Sequence, residues 1–282
     1  MNAIVRDYDQ LVKQYYEIEP TLGSNEVNER LVIFKKVFPI LAACRLKSSK
    51  IKNGEAAFKG LGKLHDIQVQ ISKLETAEQT PEISEYLLFL KEKEFKFEEK
   101  AYKFCHKKKP VFPLLKKEKV EKSVFYKKFD KRFNKLVAKV RSEDIYDAED
   151  IHQIRIDFEK FIYIVEILLP IEKIDESKFQ KLKTYQDKLN EIFYYDLLIR
   201  GITKFYKKRK PGEVPDTEAW ELEQDALIVS FDNESNDFIT ACQDVIRIYE
   251  SGDSLSHKAQ SAGMLVTTNN MTGTVSLEPG NN

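Results

Sequence analysis

The chain has 282 residues, 42% of them apolar and 11% aromatic, which excludes a disordered chain and is long enough to bury a large core. Lys plus Arg and Asp plus Glu number 46 each, so total charge gives no preference for nucleic acid or a membrane surface. That balance hides a separation: residues 103–141 carry fifteen basic against three acidic side chains, and residues 211–253 carry one Arg against twelve carboxylates.

With 33% charged residues and only ten Gly and nine Pro, the chain predicts long helices with solvated outer faces. In chain order, a first helix covers about Ile4–Ile18 and stops at Glu19-Pro20. Ser24 is expected to cap a second, to about Leu46, with Pro39 kinking or splitting it. Asn53 or Gly54 begins a third, through Leu61, Leu64, Ile67 and Ile71. Thr80-Pro81-Glu82 reads as a cap with proline in the first turn, opening a fourth helix to about Cys105. Pro110 and Pro113 then separate the chain into a first half, 1–110, and a second, 111–250. The second half predicts helices at about 114–140, 147–169, 175–208 and 216–250. No strand is expected, because the β-branched residues recur at helical spacing. From Ser251 to Asn282 the composition turns to Ser, Gly, Thr and Asn, as in a flexible tail.

Cys44, Cys105 and Cys242 have no metal or disulfide spacing, and each reads as a small buried hydrophobe. The N-terminal residues are charged throughout and no apolar run approaches the ~20 residues of a membrane span. The expectation is therefore a soluble, cytoplasmic protein without a membrane partner.

A weak internal repeat divides the helices in the same place. Val27-Asn28-Glu29 has its counterpart in Ile151-His152-Gln153, and Leu61-Gly62-Lys63-Leu64-His65-Asp66 in Leu189-Asn190-Glu191-Ile192-Phe193-Tyr194. The two separations agree within about one helical turn, as in a duplicated helical unit.

The segment from Ile151 carries the most chemistry. His152 and Arg155 are three residues apart and share a helix face, with Lys160 beside its edge, while Ile151, Ile154, Phe158, Phe161, Ile162 and Val165 fill the other face. A cationic stripe on a helix packed in a bundle is a place for an anion. This line resembles the signature helix of the CHAD family, the conserved-histidine α-helical domain, which reads roughly His-x-x-Arg-x-x-x-Lys-Arg-x-Arg. Leu61-Gly62-Lys63-Leu64-His65-Asp66-Ile67-Gln68-Val69 is similar to the family's Leu-Gly-x-x-Arg-Asp-x-x-Val helix, with His65 in place of Arg. Gln186-Asp187-Lys188-Leu189-Asn190 is similar to its Gln-Asp-x-Leu-Gly segment.

The resemblance covers about residues 5–250. It implies an all-α fold of two helical bundles related by a pseudo-two-fold, with a basic cavity between them that holds inorganic polyphosphate, and leaves open an association with polyphosphate granules. The positions it points to are Arg30, Lys35, Lys36, Lys59, Lys63, His65, His152, Arg155 and Lys160. The departures are specific. Asn28 stands at the first histidine position and Leu31 at an arginine position, while Glu159 replaces one of the paired basic residues and Ile162 the last arginine. A carboxylate on the wall of a polyanion cavity opposes its ligand.

Each candidate has a structural reading beside the functional one. His152 can be a hydrogen-bonded boundary residue, and lysines spaced like Lys59 and Lys63 commonly face water. Lys35 and Lys36 are adjacent and cannot both point into one cavity. The basic stretch with Phe104, Phe125, Tyr126, Phe129 and Phe133 could be a nucleic-acid surface, but its aromatics recur at core spacing, so nucleic acid is not the expected partner. His106-Lys107-Lys108-Lys109 reads as a charged loop. Glu92-x-Glu94-x-Lys96 matches a metal-dependent triphosphatase signature, but that chemistry needs a strand and the surroundings are helical. No phosphate loop, nucleophile elbow, paired-histidine helix or calcium loop is present, so neither catalysis nor a cofactor or metal is expected. The expected function is a polyphosphate-binding module, because His152, Arg155, Lys35 and Lys36 occur together; the alternative is a helical protein-interaction scaffold that has lost its ligand and selects a partner protein through its acidic or basic surface.

Overall fold

Local capping chemistry sets most helix ends. The computed structural model of the protein describes residues 3–19, 21–115, 122–142, 146–172 and 175–250. They form α1 (Ala3–Glu17), α2 (Ser24–Ala43), α3 (Gly54–Thr76), α4 (Pro81–Tyr102), α5 (Lys122–Ser142), α6 (Ala148–Glu172), α7 (Glu176–Arg209), α8 (Glu218–Asn233) and α9 (Ser235–Glu250). The Thr80 side chain accepts from the Ile83 N–H at the start of α4, and Asp175 accepts from the Ser177 N–H at the start of α7. Asn53, at φ 62°, turns the chain into Gly54 and α3. Among the described residues the extended pairing is confined to a single bridge, Lys52 with Val111, so the fold is all-α as expected. No helix among them is long and apolar enough to cross a membrane. The tail from Ser251 lies outside the described residues, as do Lys116, Lys117 and Lys119 of the basic stretch.

Five expectations need correction. Pro39 does not split α2, which continues through it to Ala43, and Gly23 rather than Ser24 occupies the cap position without a side-chain bond. The predicted helix over 216–250 is two helices, broken at Glu234, whose backbone (φ −99°, ψ 3°) leaves the helical region within the weakly helix-forming run Asn233-Glu234-Ser235. His106 and Lys107 belong to a π turn, Lys103–Lys107, that extends α4, and the His106 ring packs 4.6 Å from Tyr102. Arg30 is 2% exposed and donates to the carbonyls of Ile18, Glu19 and Thr21 at 3.2, 2.6 and 3.2 Å. It closes the end of α1 and does not reach a cavity.

Within each half the helices pack in sequence: α1 on α2, α2 on α3 and α3 on α4; then α5 on α6, α6 on α7, and α7 on α8 and α9. The halves meet chiefly where α2 and α1 pack on α6 and α3 packs on α7. The main core runs through both, from Phe34, Ile40 and Leu64 to Phe158, Phe161 and Phe238. Each fully buried side chain of this kind contributes roughly 1.5–3 kcal/mol. A smaller core joins α3 and α4 to the end of α7 through Leu74, Tyr86, Leu90, Ile202 and Phe205. Phe125, Phe129 and Phe133 are buried, so the basic helix α5 turns its aromatic face inward, as their spacing predicted. The three cysteines are free and buried.

Candidate functional site

The seam where α2 and α3 meet α6 and α7 collects most of the candidate residues. Asp147 caps α6: its carboxylate accepts from the Asp150 N–H at 2.8 Å and its carbonyl from the Ile151 N–H at 3.1 Å. Ile151, Ile154, Phe158, Phe161, Ile162 and Val165 are all at most 1% exposed. That burial fixes the rotation of α6 and turns His152, Arg155, Glu159, Tyr163 and Glu166 towards the seam.

Phe193 of α7 is the platform for the first turn. The His152 ring stacks on it at 5.0 Å and 24°, and the Arg155 guanidinium lies 3.8 Å from its centroid. Arg155 also donates to the Asn190 side-chain oxygen at 3.4 Å. His65 and Asp66 of α3 approach from the other wall. Burial, then the charge of Lys35, lowers the His65 pKa against an opposing pull from Glu159. Burial raises the Asp66 pKa, with Arg155 and Lys35 opposing. Burial likewise lowers the His152 pKa, assisted by Arg155, and raises those of the Tyr163 and Tyr194 phenols beside the cluster.

Carboxylates take up the lysines of α2. Lys35 donates to Glu159, and its ammonium lies 5.9 Å from the Tyr163 ring centroid. Lys36 meets Glu166 at 3.1 Å, and Lys183 of α7 meets the other oxygen of Glu166 at 2.6 Å. Further along the seam Lys73 of α3 pairs with Glu191 of α7. Glu159 and Glu166 are seven residues apart and share a face of α6, whereas Lys35 and Lys36 diverge by about 100°. Each lysine therefore finds its own carboxylate. With Asp66, four acids stand against Lys35, Lys36, Lys73, Arg155 and Lys183.

The remaining candidates lie elsewhere. Lys160 turns to the other side of α6, 3.6 Å from Asp157, a buried carboxylate also approached by Lys135 at 2.7 Å and Arg132 at 3.8 Å from α5. Five residues of helix separate Lys160 from Arg155 by about 140°, so the two cannot share a wall. Lys59 and Lys63 are exposed on α3 and form no ion pair among the described residues. Glu92, Glu94 and Lys96 lie on helix α4, away from any strand. Four buried atoms at the seam have no hydrogen-bond partner among the described residues: Arg155 Nε, His65 Nδ1, His152 Nδ1 and Glu166 Oε2, the last of which meets Lys36 as an ion pair.

Sequence reasoning missed Phe193, Lys73, Lys183, Glu191, Tyr163 and Tyr194. Phe193 stands at core spacing from Leu189, and only the pairing of α6 with α7 shows that it carries His152 and Arg155. The arrangement can neutralise charge across a helix seam. Comparison of the chain with protein-family models, with curated proteins and with solved structures finds no match.

Proposed function

We propose that the chain is a CHAD-like helical module whose seat for a polyanion is filled by its own carboxylates, and that it works as a protein-interaction scaffold. The observation that carries this reading is the double capture of the α2 lysines, Lys35 by Glu159 and Lys36 by Glu166. An anionic ligand entering the seam would have to break both pairs and face the freed carboxylates, a like-charge contact that costs several kcal/mol once desolvated.

The duplicated arrangement is part of the same proposal. Lys35 and Glu159 are 124 residues apart, the same separation as Val27 and Ile151. Equivalent positions of two related helices meet each other when a two-fold axis passes between them. The Lys73–Glu191 and Lys210–Glu85 pairs, separated by 118 and 125 residues, join the halves at similar offsets. On this reading the two bundles are 1–110 and 111–250.

Polyphosphate binding is the second reading, and the unpartnered Arg155 Nε, His65 Nδ1 and His152 Nδ1 favour it. Titration of the protein and its Arg155→Ala variant with long-chain polyphosphate, at low and high salt, separates the two. The scaffold reading predicts identical curves, since any phosphate bound lies outside the seam. A loss of about tenfold or more in the variant, steepest at low salt, would establish the seam as the seat.

A further inference from the structure

Helix α8 packs on α7 and α9 and carries apolar residues on two opposite faces. Trp220, Gln224, Leu227, Ile228 and Phe231 recur at helical spacing and turn inwards. On the other side, Ala219, Leu222, Ala226 and Val229 follow one another at steps of three, four and three, the spacing of a coiled-coil seam. All four are exposed, Leu222 by 63% and Val229 by 59%. Glu218, Asp225 and Asp232 run along one edge of this seam at seven-residue spacing, and Glu223 stands on the other. The helix holds no Lys or Arg of its own, and among the described residues these four carboxylates form no ion pair. The neighbouring base, Lys188 of α7, is held by Glu234 at 2.7 Å and by the Ser230 hydroxyl at 3.2 Å.

We propose that the outer face of α8 docks an amphipathic helix of a partner protein, one with large apolar residues on its seam and Lys or Arg along its edges. The inference rests on the scaffold reading and gives it a surface, on a different helix from the pairs that α2 makes with α6. A helix on the outside of a globular fold needs one apolar stripe against the core and a polar face against water. The inward residues of α8 meet that need. The second stripe adds nothing to the fold, and its heptad order is that of a helix waiting for another helix.

The edge charges select the occupant. In two copies of α8 paired in parallel, Glu218 of one would face Glu223 of the other, and in an antiparallel pair each acidic edge would face itself. Like charges across an interface oppose pairing, so a second copy is disfavoured. Residues 251–282 hold one Lys against one Asp and one Glu, and supply no basic edges. A foreign helix with cationic edges meets Glu218, Asp225 and Asp232 on one side and Glu223 on the other. The small side chains of Ala219 and Ala226, alternating with Leu222 and Val229, leave room on the seam for bulky apolar residues of that helix.

Fluorescence anisotropy of the full chain against a labelled synthetic peptide, about four heptads long with leucine on its seam and lysine on its edges, tests the face. Saturable binding that weakens with salt is expected. A peptide of the same composition with its leucines moved off the seam, and one with glutamate on its edges, should each bind about tenfold more weakly or less well still. Leu222→Gln/Val229→Gln alters only exposed side chains and should weaken the lysine peptide by about tenfold or more, with an unchanged helical spectrum. Glu218→Gln/Asp225→Asn should weaken it too and flatten its salt dependence. Absence of binding, equal binding of the rearranged peptide, or unchanged binding by Leu222→Gln/Val229→Gln would overturn the proposal. So would a dimer of the parent that this variant dissociates, which would assign the face to a second copy. The polyphosphate curves of the parent and Arg155→Ala report the filled seam separately: a silent peptide beside identical curves would strike the α8 face and leave the scaffold reading standing.

Discussion

Removing one partner of the Lys35–Glu159 pair should expose how much the seam depends on its own charges. The two side chains are 27% and 22% exposed, so the pair lies between a surface bridge and a buried one. At an effective dielectric of about 20, two unit charges ~4 Å apart attract by about 4 kcal/mol, most of which desolvation offsets. Surface pairs contribute about 0.2–1 kcal/mol, and stranding one charge of a buried pair costs about 3–5 kcal/mol. With roughly a quarter of each side chain in water, Glu159→Gln should cost about 1–2 kcal/mol, placed between those two ranges. For a chain of this size that is a fall of about 2–8 °C in Tm. The assay is a double-mutant cycle by denaturant unfolding of the parent, Glu159→Gln, Lys35→Met and the double variant. A coupling of about 1 kcal/mol is expected, because Lys35→Met removes the charge that Glu159→Gln would strand. Additive losses, within about 0.3 kcal/mol, would refute the view that this pair closes the seam.

Two further predictions concern stability. A Cβ at Gly201 would run into the Tyr86 hydroxyl and stand 2.9 Å from the Gln70 oxygen that this hydroxyl donates to. Gly201→Ala should therefore break that bond and cost about 1–3 kcal/mol, read as a shift in denaturant midpoint; an unchanged midpoint would contradict the close contact. The second concerns His65 and His152, whose folded pKa values lie below the unfolded value of about 6.5. Below that value the unfolded chain binds more protons, so their contribution is complete above about pH 6.5 and is lost as pH falls through the folded values. Stability should decline from about pH 7 to 5, and the decline should flatten in His65→Gln/His152→Gln. Asp66, with its raised pKa, acts in the opposite sense at lower pH. Equal slopes in parent and variant would remove the histidines from the account.

Local signals carried much of the fold. Thr80-Pro81 marks the start of α4, Glu19-Pro20 the end of α1, and the apolar spacing of Ile151 to Val165 fixes the inner face of α6. Such features depend on a few neighbouring residues, so they are legible in order along the chain. The break at Glu234 was not, because Phe231 and Phe238 keep one periodicity across it and both are buried. The seam was legible in part. His152 and Arg155 are neighbours on one face, as their spacing requires, and Glu159 stood out as the wrong charge for a polyanion seat. Which lysine meets which carboxylate depends on how α2 lies against α6, and no local pattern encodes that. Arg30 and Lys160 show the same limit. One turns back to three carbonyls of the preceding loop and the other to Asp157, and both directions follow from tertiary packing.

The central claim is that Glu159 and Glu166 occupy the seat a polyanion would use. Its most direct test is polyphosphate binding by Glu159→Gln/Glu166→Gln, which frees Lys35, Lys36 and Lys183, measured against the parent and against the same variant carrying Arg155→Ala, with the helical spectrum confirming the fold. The account predicts a gain of about tenfold or more in salt-sensitive affinity, lost again on adding Arg155→Ala. A folded double variant with the parent's affinity would contradict it.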